Sequence, residues 1–215
     1  MINILRCTFL AFGISFFVSA SFAADAQTSD KPQMNVGDRW EWQHTNGLSN
    51  EKDFTQIENV VNVSDAEVRT QVRVKGKANT GIATYTREWN PVDVVSAKYD
   101  PFLKEFEFPL QVGKKWKSSA DKMLFSNGKH GKFYLKGEVV AFEKITVPGG
   151  TFDAYKISVT LDATGTDEDA NIGHTVETYW YAPTVNRHVK HINEFSRDGR
   201  VRSQDIYELL DYSLR

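Results

Sequence analysis

From Met34 onward, apolar and polar residues alternate with a period of two, in short runs broken by Gly, Pro, Asn and Asp. That period places alternate side chains on opposite faces of a strand. Trp40 and Trp42 share one face of an early strand, with Arg39 and Glu41 on the other. Over Ile57–Lys75 the pattern predicts a hairpin with one wet face. Ile57, Val61 and Val63 lie on one face of its first arm, and Val68, Thr70, Val72 and Val74 on one face of its second. A four-residue loop, Ser64–Glu67, then pairs Val63 with Val68 and Val61 with Thr70, which is antiparallel behaviour.

A second hairpin is centred on Pro148-Gly149-Gly150-Thr151. Pro presets φ for a reversal and Gly permits φ > 0. Taken as the loop, these four residues set Val147 opposite Phe152, Ile145 opposite Ala154 and Glu143 opposite Lys156. On the other face Phe142 meets Ile157 and Val140 meets Val159, so apolar faces apolar and opposite charges meet. The turn end of this hairpin is expected to be a packing centre, with Val147 and Phe152 buried.

Further runs read as strands: Ile82–Trp89, Val92–Tyr99 and Val176–Ala182, with Glu208–Leu214 kept as strand and a short helix as its alternative. Phe102–Val112 keeps the period, but Pro109 makes it an edge or a bend. Val189–Phe195 and Val201–Tyr212 flank Asp198-Gly199, a strong hairpin signal. No window sustains a 3.6-residue apolar period. Ten to twelve short strands with frequent turns predict an all-β, antiparallel, strongly curved sheet with little helix, closing as a barrel or half-barrel, a sandwich remaining open.

Val36-Gly37-x-x-Trp40 recurs as Val112-Gly113-x-x-Trp116, each ahead of a set of strands. Each set includes a Trp close to a Pro, Trp89 before Pro91 and Trp180 before Pro183. The echo suggests two related halves of one sheet; the alternative is a common strand-entry pattern.

Residues 1–23 read as a signal peptide: Arg6, the apolar run Phe9–Val18, and the small-x-small site Ser21-Phe22-Ala23. Cleavage after Ala23 leaves 192 of 215 residues. Residues 24–33 read as a disordered leader, and 34–215 as one all-β domain. The product is expected to be periplasmic or secreted and soluble, with no later segment able to span a membrane. The one cysteine, Cys7, falls inside the signal, so disulfides, thiolate metal sites and a cysteine nucleophile are excluded from the processed chain. Loss of Arg6 takes Lys plus Arg from 26 to 25 against 28 Asp plus Glu, moving the net charge from −2 to −3. Charges are interspersed, and no basic face points to nucleic acid.

The stretches VGKKW, ITVPGGTFDAYKI, ETYWYAP and VNRHVKHI, within Val112–Ile192, resemble the TapB-like group of bacterial periplasmic proteins, related to a larger domain-of-unknown-function family. The resemblance implies an exported all-β domain. It carries no catalytic or binding residues.

Candidate chemistry is sparse. His188 and His191 are spaced i, i+3, which on a regular strand puts their rings on opposite faces and prevents a shared metal. Asp167, Asp169 and Asn171 have the alternating spacing of a calcium loop, but Ile172 stands where Gly is needed and Thr178 where the bidentate Glu is needed. A solvated acidic connection is the plainer reading, and no cofactor is expected. Nucleophile-elbow, zincin, P-loop and dinucleotide motifs are absent. Aromatics are 13% of the chain. Trp40, Trp42, Trp89 and Trp180 are the candidate ligand-binding residues, on a concave face that would take an apolar or sugar ligand; a core of large side chains is the alternative. The leading function is a non-enzymatic exported binding or accessory domain. A cell-envelope protein–protein adaptor, using an exposed aromatic face or sheet edge, is the alternative. A hydrolase with an unrecognised carboxylate pair is third.

Overall fold

The computed structural model describes residues 28–124, 128, 130–165 and 173–215. Its strands are β1 (Thr28–Ser29), β2 (Arg39–Asn46), β3 (Glu51–Val63), β4 (Glu67–Val74), β5 (Thr80–Thr86), β6 (Pro91–Val94), β7 (Ala97–Asp100), β8 (Leu110–Gln111), β9 (Lys115–Leu124), β10 (His130–Val147), β11 (Gly150–Gly165), β12 (His174–Ala182), β13 (Arg187–Arg197) and β14 (Arg200–Ser213). A single 3-10 turn, Pro183–Val185, links β12 to β13. Twelve strands close an antiparallel barrel, with β7 against β9 and β14 against β2 completing the ring. β1 and β8 form a separate pair, which puts Thr28 and Ser29, inside the leader expected to be disordered, in a strand.

The barrel is filled by apolar side chains. Trp40, Val68, Leu135, Val139, Ile157, Val159 and Leu209 are each at most 1% exposed. Outward positions on β9 and β10, such as Lys115, Lys117, Lys132 and Lys136, are exposed. This is the reverse of a membrane barrel, whose apolar residues face lipid. Among the described residues, no helix is long and apolar enough to cross a membrane.

The V-G-x-x-W echo marks a structural repeat. In the first copy Gly37 N donates to Val60 O (2.9 Å) and Val60 N to Asp38 O (2.8 Å). In the second, Gly113 N donates to Val139 O (2.8 Å) and Val139 N to Lys114 O (2.9 Å). Both docked strands bulge at the next residue, Val61 in β3 and Val140 in β10. Strands β2–β7 and β9–β14 thus form two six-stranded halves of the same order. The Trp-and-Pro part of the echo does not superpose. The counterpart of Trp89 (φ 64°), which ends a turn begun at Thr86, is Asn186 (φ 56°), which ends the turn begun at Pro183.

Several expected details shift. The central hairpin uses a two-residue loop, Pro148-Gly149, and pairs Val147 with Gly150, Ile145 with Phe152 and Glu143 with Ala154. The shift of two residues keeps the faces as far as Ala141, because side chains alternate with that period. Beyond it the bulge pairs Val159 with Gly137, instead of Val140, and leaves Val140 47% exposed. Val147 and Phe152 are 5% and 9% exposed, so the turn end is a packing centre. Its tip reaches across to β14, where Gly149 N donates to Leu209 O at 2.7 Å. The bulge turns Val61 outward (44% exposed) and pairs Val60, instead of Val61, with Thr70. Val92–Tyr99 is a tight hairpin of β6 and β7. Phe102–Val112 is largely irregular, with a cis peptide just before it at Asp100-Pro101 and another within it at Phe108-Pro109. It turns inward: Leu103 and Phe106 are each 3% exposed. Asn90 holds this segment by accepting from Phe106 N (2.8 Å) and donating to Phe106 O (3.1 Å). We call residues 101–109 the plug.

Candidate functional site

Inside the barrel, beside the plug, lies a cavity of about 340 Å³. β3, β12 and β13 and the plug bring charged groups into it: Glu58, Glu177, Arg187 and Glu105. Two depressions of about 440 and 530 Å³ on the outer wall are bordered instead by strand lysines, Lys115 and Lys117 at one and Lys98 and Lys132 at the other.

The corner between β12 and β13 is set by tryptophans. Trp40 Nε1 donates to Val185 O (2.9 Å), Trp89 Nε1 to Asn186 O (2.7 Å) and Trp42 Nε1 to His188 O (3.2 Å). These three bonds fix the segment that carries Arg187. Arg187 Nη2 donates to Glu58 Oε2 at 2.8 Å, and Thr70 Oγ1 donates to Glu58 Oε1 at 2.6 Å. The guanidinium sits 3.8 Å from the Trp89 ring centre and 4.9 Å from that of Tyr85. Burial works against the Arg187 charge, but Glu58 and Tyr85 outweigh it and raise its pKa. Burial, reinforced by the Glu58 charge, raises the Tyr85 phenol.

A second group gathers on Glu177. Its Oε1 accepts from Asn193 Nδ2 (2.7 Å); its Oε2 contacts His191 Nε2 closely and accepts from the Tyr179 hydroxyl at 3.4 Å. Tyr179 also hydrogen-bonds Glu105. Burial, then the Glu177 charge, pushes the Glu105 carboxyl up to about 8, so it carries a proton at neutral pH. A protonated Glu105 can donate to the Tyr179 oxygen while the Tyr179 hydroxyl donates to Glu177. Burial also holds Tyr179 well above the ordinary tyrosine range, with Glu105 and Glu177 adding to it.

His188 and His191 face the same cavity, with ring centroids 5.6 Å apart. The register against β12 skips Val189, pairing Trp180 with Lys190 and Tyr181 with His188. This bulge overturns the opposite-face expectation, which assumed a regular strand. Burial, then the charges of Arg187 and His191, hold His188 well below the ordinary histidine range. His191 stacks on Tyr179 (4.3 Å, 6°) and on Tyr207 (5.8 Å, 13°). Tyr207 leads on to His44, which stacks on Phe54 and stands between Asp205 (2.9 Å) and Asp53 (3.1 Å). Among the described residues, no three acidic, cysteine or histidine side chains converge as a metal set.

Of the four candidate tryptophans, Trp42 and Trp89 line the cavity. Trp40, fully buried, packs behind both, 6.4 and 5.4 Å away. Trp180 is on the outer face, where its Nε1 donates to Glu143 Oε1 (2.7 Å) and Lys156 and Lys190 lie over its ring. The ring faces at the cavity are covered: Trp42 stacks between Trp40 and His188, and Trp89 lies under Arg187. The calcium candidates Asp167, Asp169 and Asn171 lie outside the described residues. The charged groups Glu58, Glu105, Glu177 and Arg187 were not singled out from sequence. The available signal was Gln56 and Glu58, polar residues at two inward positions of β3.

No protein-family model and no curated protein matches the chain. Two solved structures share its fold. One is a Parabacteroides distasonis protein inferred to be a lipoprotein, with TM-score 0.57 and 12% identity over 87% of this chain and 100% of that one. The other, from Bacteroides fragilis, is inferred to be exported and has a YmcC-like fold, with TM-score 0.52 and 12% identity over 86% of this chain and 99% of that one.

Proposed function

We propose that the chain is a non-enzymatic exported accessory domain that binds a small polar molecule inside its barrel. The observation that carries this reading is the cavity of about 340 Å³ lined by Glu58, Glu105, Glu177 and Arg187. Burying ionisable groups is costly unless they are paired or used, and perturbed groups cluster at functional sites. The signal-like N-terminus and the resemblance to TapB-like proteins support export. Covered tryptophan faces move the ligand away from an apolar or face-stacked sugar toward one held by hydrogen bonds. The adaptor reading receives less support, because the twelve barrel strands leave no unpaired edge and Trp180 is covered by Glu143, Lys156 and Lys190.

Native mass spectrometry of the protein recovered from its own cell envelope tests this. A bound small molecule, released on denaturation, is expected. A bare polypeptide whose tryptophan fluorescence answers to no metabolite extract overturns the reading.

One observation favours a second reading, a hydrolase. Glu105 and Glu177 both face the Tyr179 hydroxyl, and burial holds the Glu105 carboxyl protonated at neutral pH, as a general acid requires. Turnover of aryl glycosides or esters by the chain, abolished in both Glu105→Gln and Glu177→Gln, would replace the binding reading.

A further inference from the structure

The cavity has an imbalance of charge. Its lining carries three carboxyls, Glu58, Glu105 and Glu177, and one guanidinium, Arg187. Arg187 and Thr70 satisfy Glu58. Glu177 receives hydrogen bonds from Asn193 and Tyr179 and a close contact from His191. The lining offers Glu105 no cation of its own: Arg187, which faces it, is matched by Glu58, and Lys122 acts on it from beyond the lining with its own charge disfavoured by burial. Lys122 lies outside the lining, with its Nζ over the rings of Tyr99 (5.5 Å) and Phe133 (4.9 Å). Glu105 accordingly keeps its proton.

A second, independent feature is Arg187 itself. The residue is 5% exposed and lines the cavity, yet its Nε finds no acceptor among the described residues. A buried donor without an acceptor is rare in folded proteins. A ligand that completes this site brings a positive charge to the carboxyls and an oxygen to Arg187 Nε.

We propose that the cavity binds a small organic ammonium ion bearing a neutral oxygen acceptor, an amino alcohol or amino sugar, with the ammonium beside Glu105 and Glu177 and the oxygen on Arg187 Nε. This rests on the cavity being a binding site. A carboxylate in place of the neutral oxygen would add a buried negative charge where the lining already has an excess, and the Arg187 charge is matched by Glu58. Aromatic walls of Tyr99, Phe106 and Tyr179 suit a cation. The volume lies at the small end of ligand sites.

Binding is coupled to a proton. The charged and titratable groups facing Glu105 are Glu177 and Tyr179 of β12, Tyr99 of β7, Lys122 of β9 and Arg187 of β13. An ammonium beside Glu105 favours its ionised form, so at pH 7 the ligand displaces up to one proton.

Calorimetry on the processed chain tests this, with ethanolamine and glucosamine against their amine-free counterparts ethylene glycol and glucose. At least one amine is expected to bind about tenfold tighter than its counterpart. It should release protons, read from buffers of different ionisation enthalpy, and tighten between pH 6.5 and 8. Glu105→Gln is isosteric with the neutral carboxyl, so it should melt no lower than the parent while losing the amine preference and the proton release. Equal binding of amine and counterpart overturns the proposal, as does an unchanged preference in Glu105→Gln or millimolar-or-weaker binding of both amines. A natural ligand without an amine, found by native mass spectrometry, overturns this inference and leaves the binding reading standing; a bare chain overturns both.

Discussion

The Arg187 guanidinium sits 3.8 Å from the centre of the Trp89 ring, while that indole donates to the carbonyl of the preceding residue, Asn186, at 2.7 Å. One tryptophan therefore fixes both the backbone that delivers Arg187 and the side chain itself. Arg187→Met would leave Glu58, 1% exposed, as a buried carboxylate without its cation. Breaking a buried pair from one side costs about 3–5 kcal/mol. Urea denaturation should show a loss of that size for Arg187→Met, and a smaller combined loss for Arg187→Met with Glu58→Leu than the two single changes would sum to. A loss within error for Arg187→Met would mean that the pair does not stabilise the fold.

Gly37 and Gly113 occupy equivalent turns, with φ of 99° and 87°. Alanine at either strains the backbone, at a cost of about 1–2 kcal/mol. The surroundings differ: a Cβ at Gly37 would meet Arg215 Cγ at 3.1 Å, whereas Gly113 has open space. Thermal denaturation should therefore rank Gly37→Ala below Gly113→Ala, with both below the parent. A neutral result at both positions would show that the turns do not clamp β3 and β10.

Position 137 shows how the two halves diverged. Trp40 pairs with Glu58 in the first half, and Trp116 pairs with Gly137 in the second. A Cβ on Gly137 would overlap the Trp116 ring. Gly137→Ala should cost about 1–3 kcal/mol through overpacking, and Gly131→Ala, six residues earlier on the same strand with its nearest neighbour at 3.6 Å, should be tolerated. Equal melting temperatures for the two variants would count against the close approach.

Much of the barrel was legible because its strands alternate strictly where both faces are regular. Val68 and Thr70, Trp40 and Trp42, and the Asp198-Gly199 hairpin follow directly from period and turn chemistry. The charged cavity was not legible, because it depends on bulges and on a strand-poor segment. The skip at Val189 puts His188 and His191 on one side, and no local residue type announces it. Glu105 reaches the interior only because the plug folds inward, held by Asn90, a contact sixteen residues away along the chain. Of the candidate tryptophans, Trp42 and Trp89 line the cavity, whereas the parity of β12 sends Trp180 outward between two tyrosines that point in.

Stability should depend on pH through two buried groups with opposite signs. Glu105 is raised from 4.5 to about 8, so the folded chain binds more protons there than the unfolded chain does between those values. Its contribution is fully present below about pH 4.5, declines as pH rises toward 8, and is flat above. His188 is depressed from 6.5, so its contribution is present above that value and is lost as pH falls below it. Lys122 is also depressed, by burial against the pull of Glu177 and Glu105. His188 and Lys122 are common to the parent and to Glu105→Gln and largely cancel in their difference. Glu105→Gln should therefore gain stability relative to the parent between pH 5 and 8, by on the order of 1 kcal/mol per pH unit, and by no more above that range. Urea midpoints at pH 5, 6.5, 8 and 9 measure this; parallel curves for parent and variant would show that Glu105 is not held protonated in the folded chain.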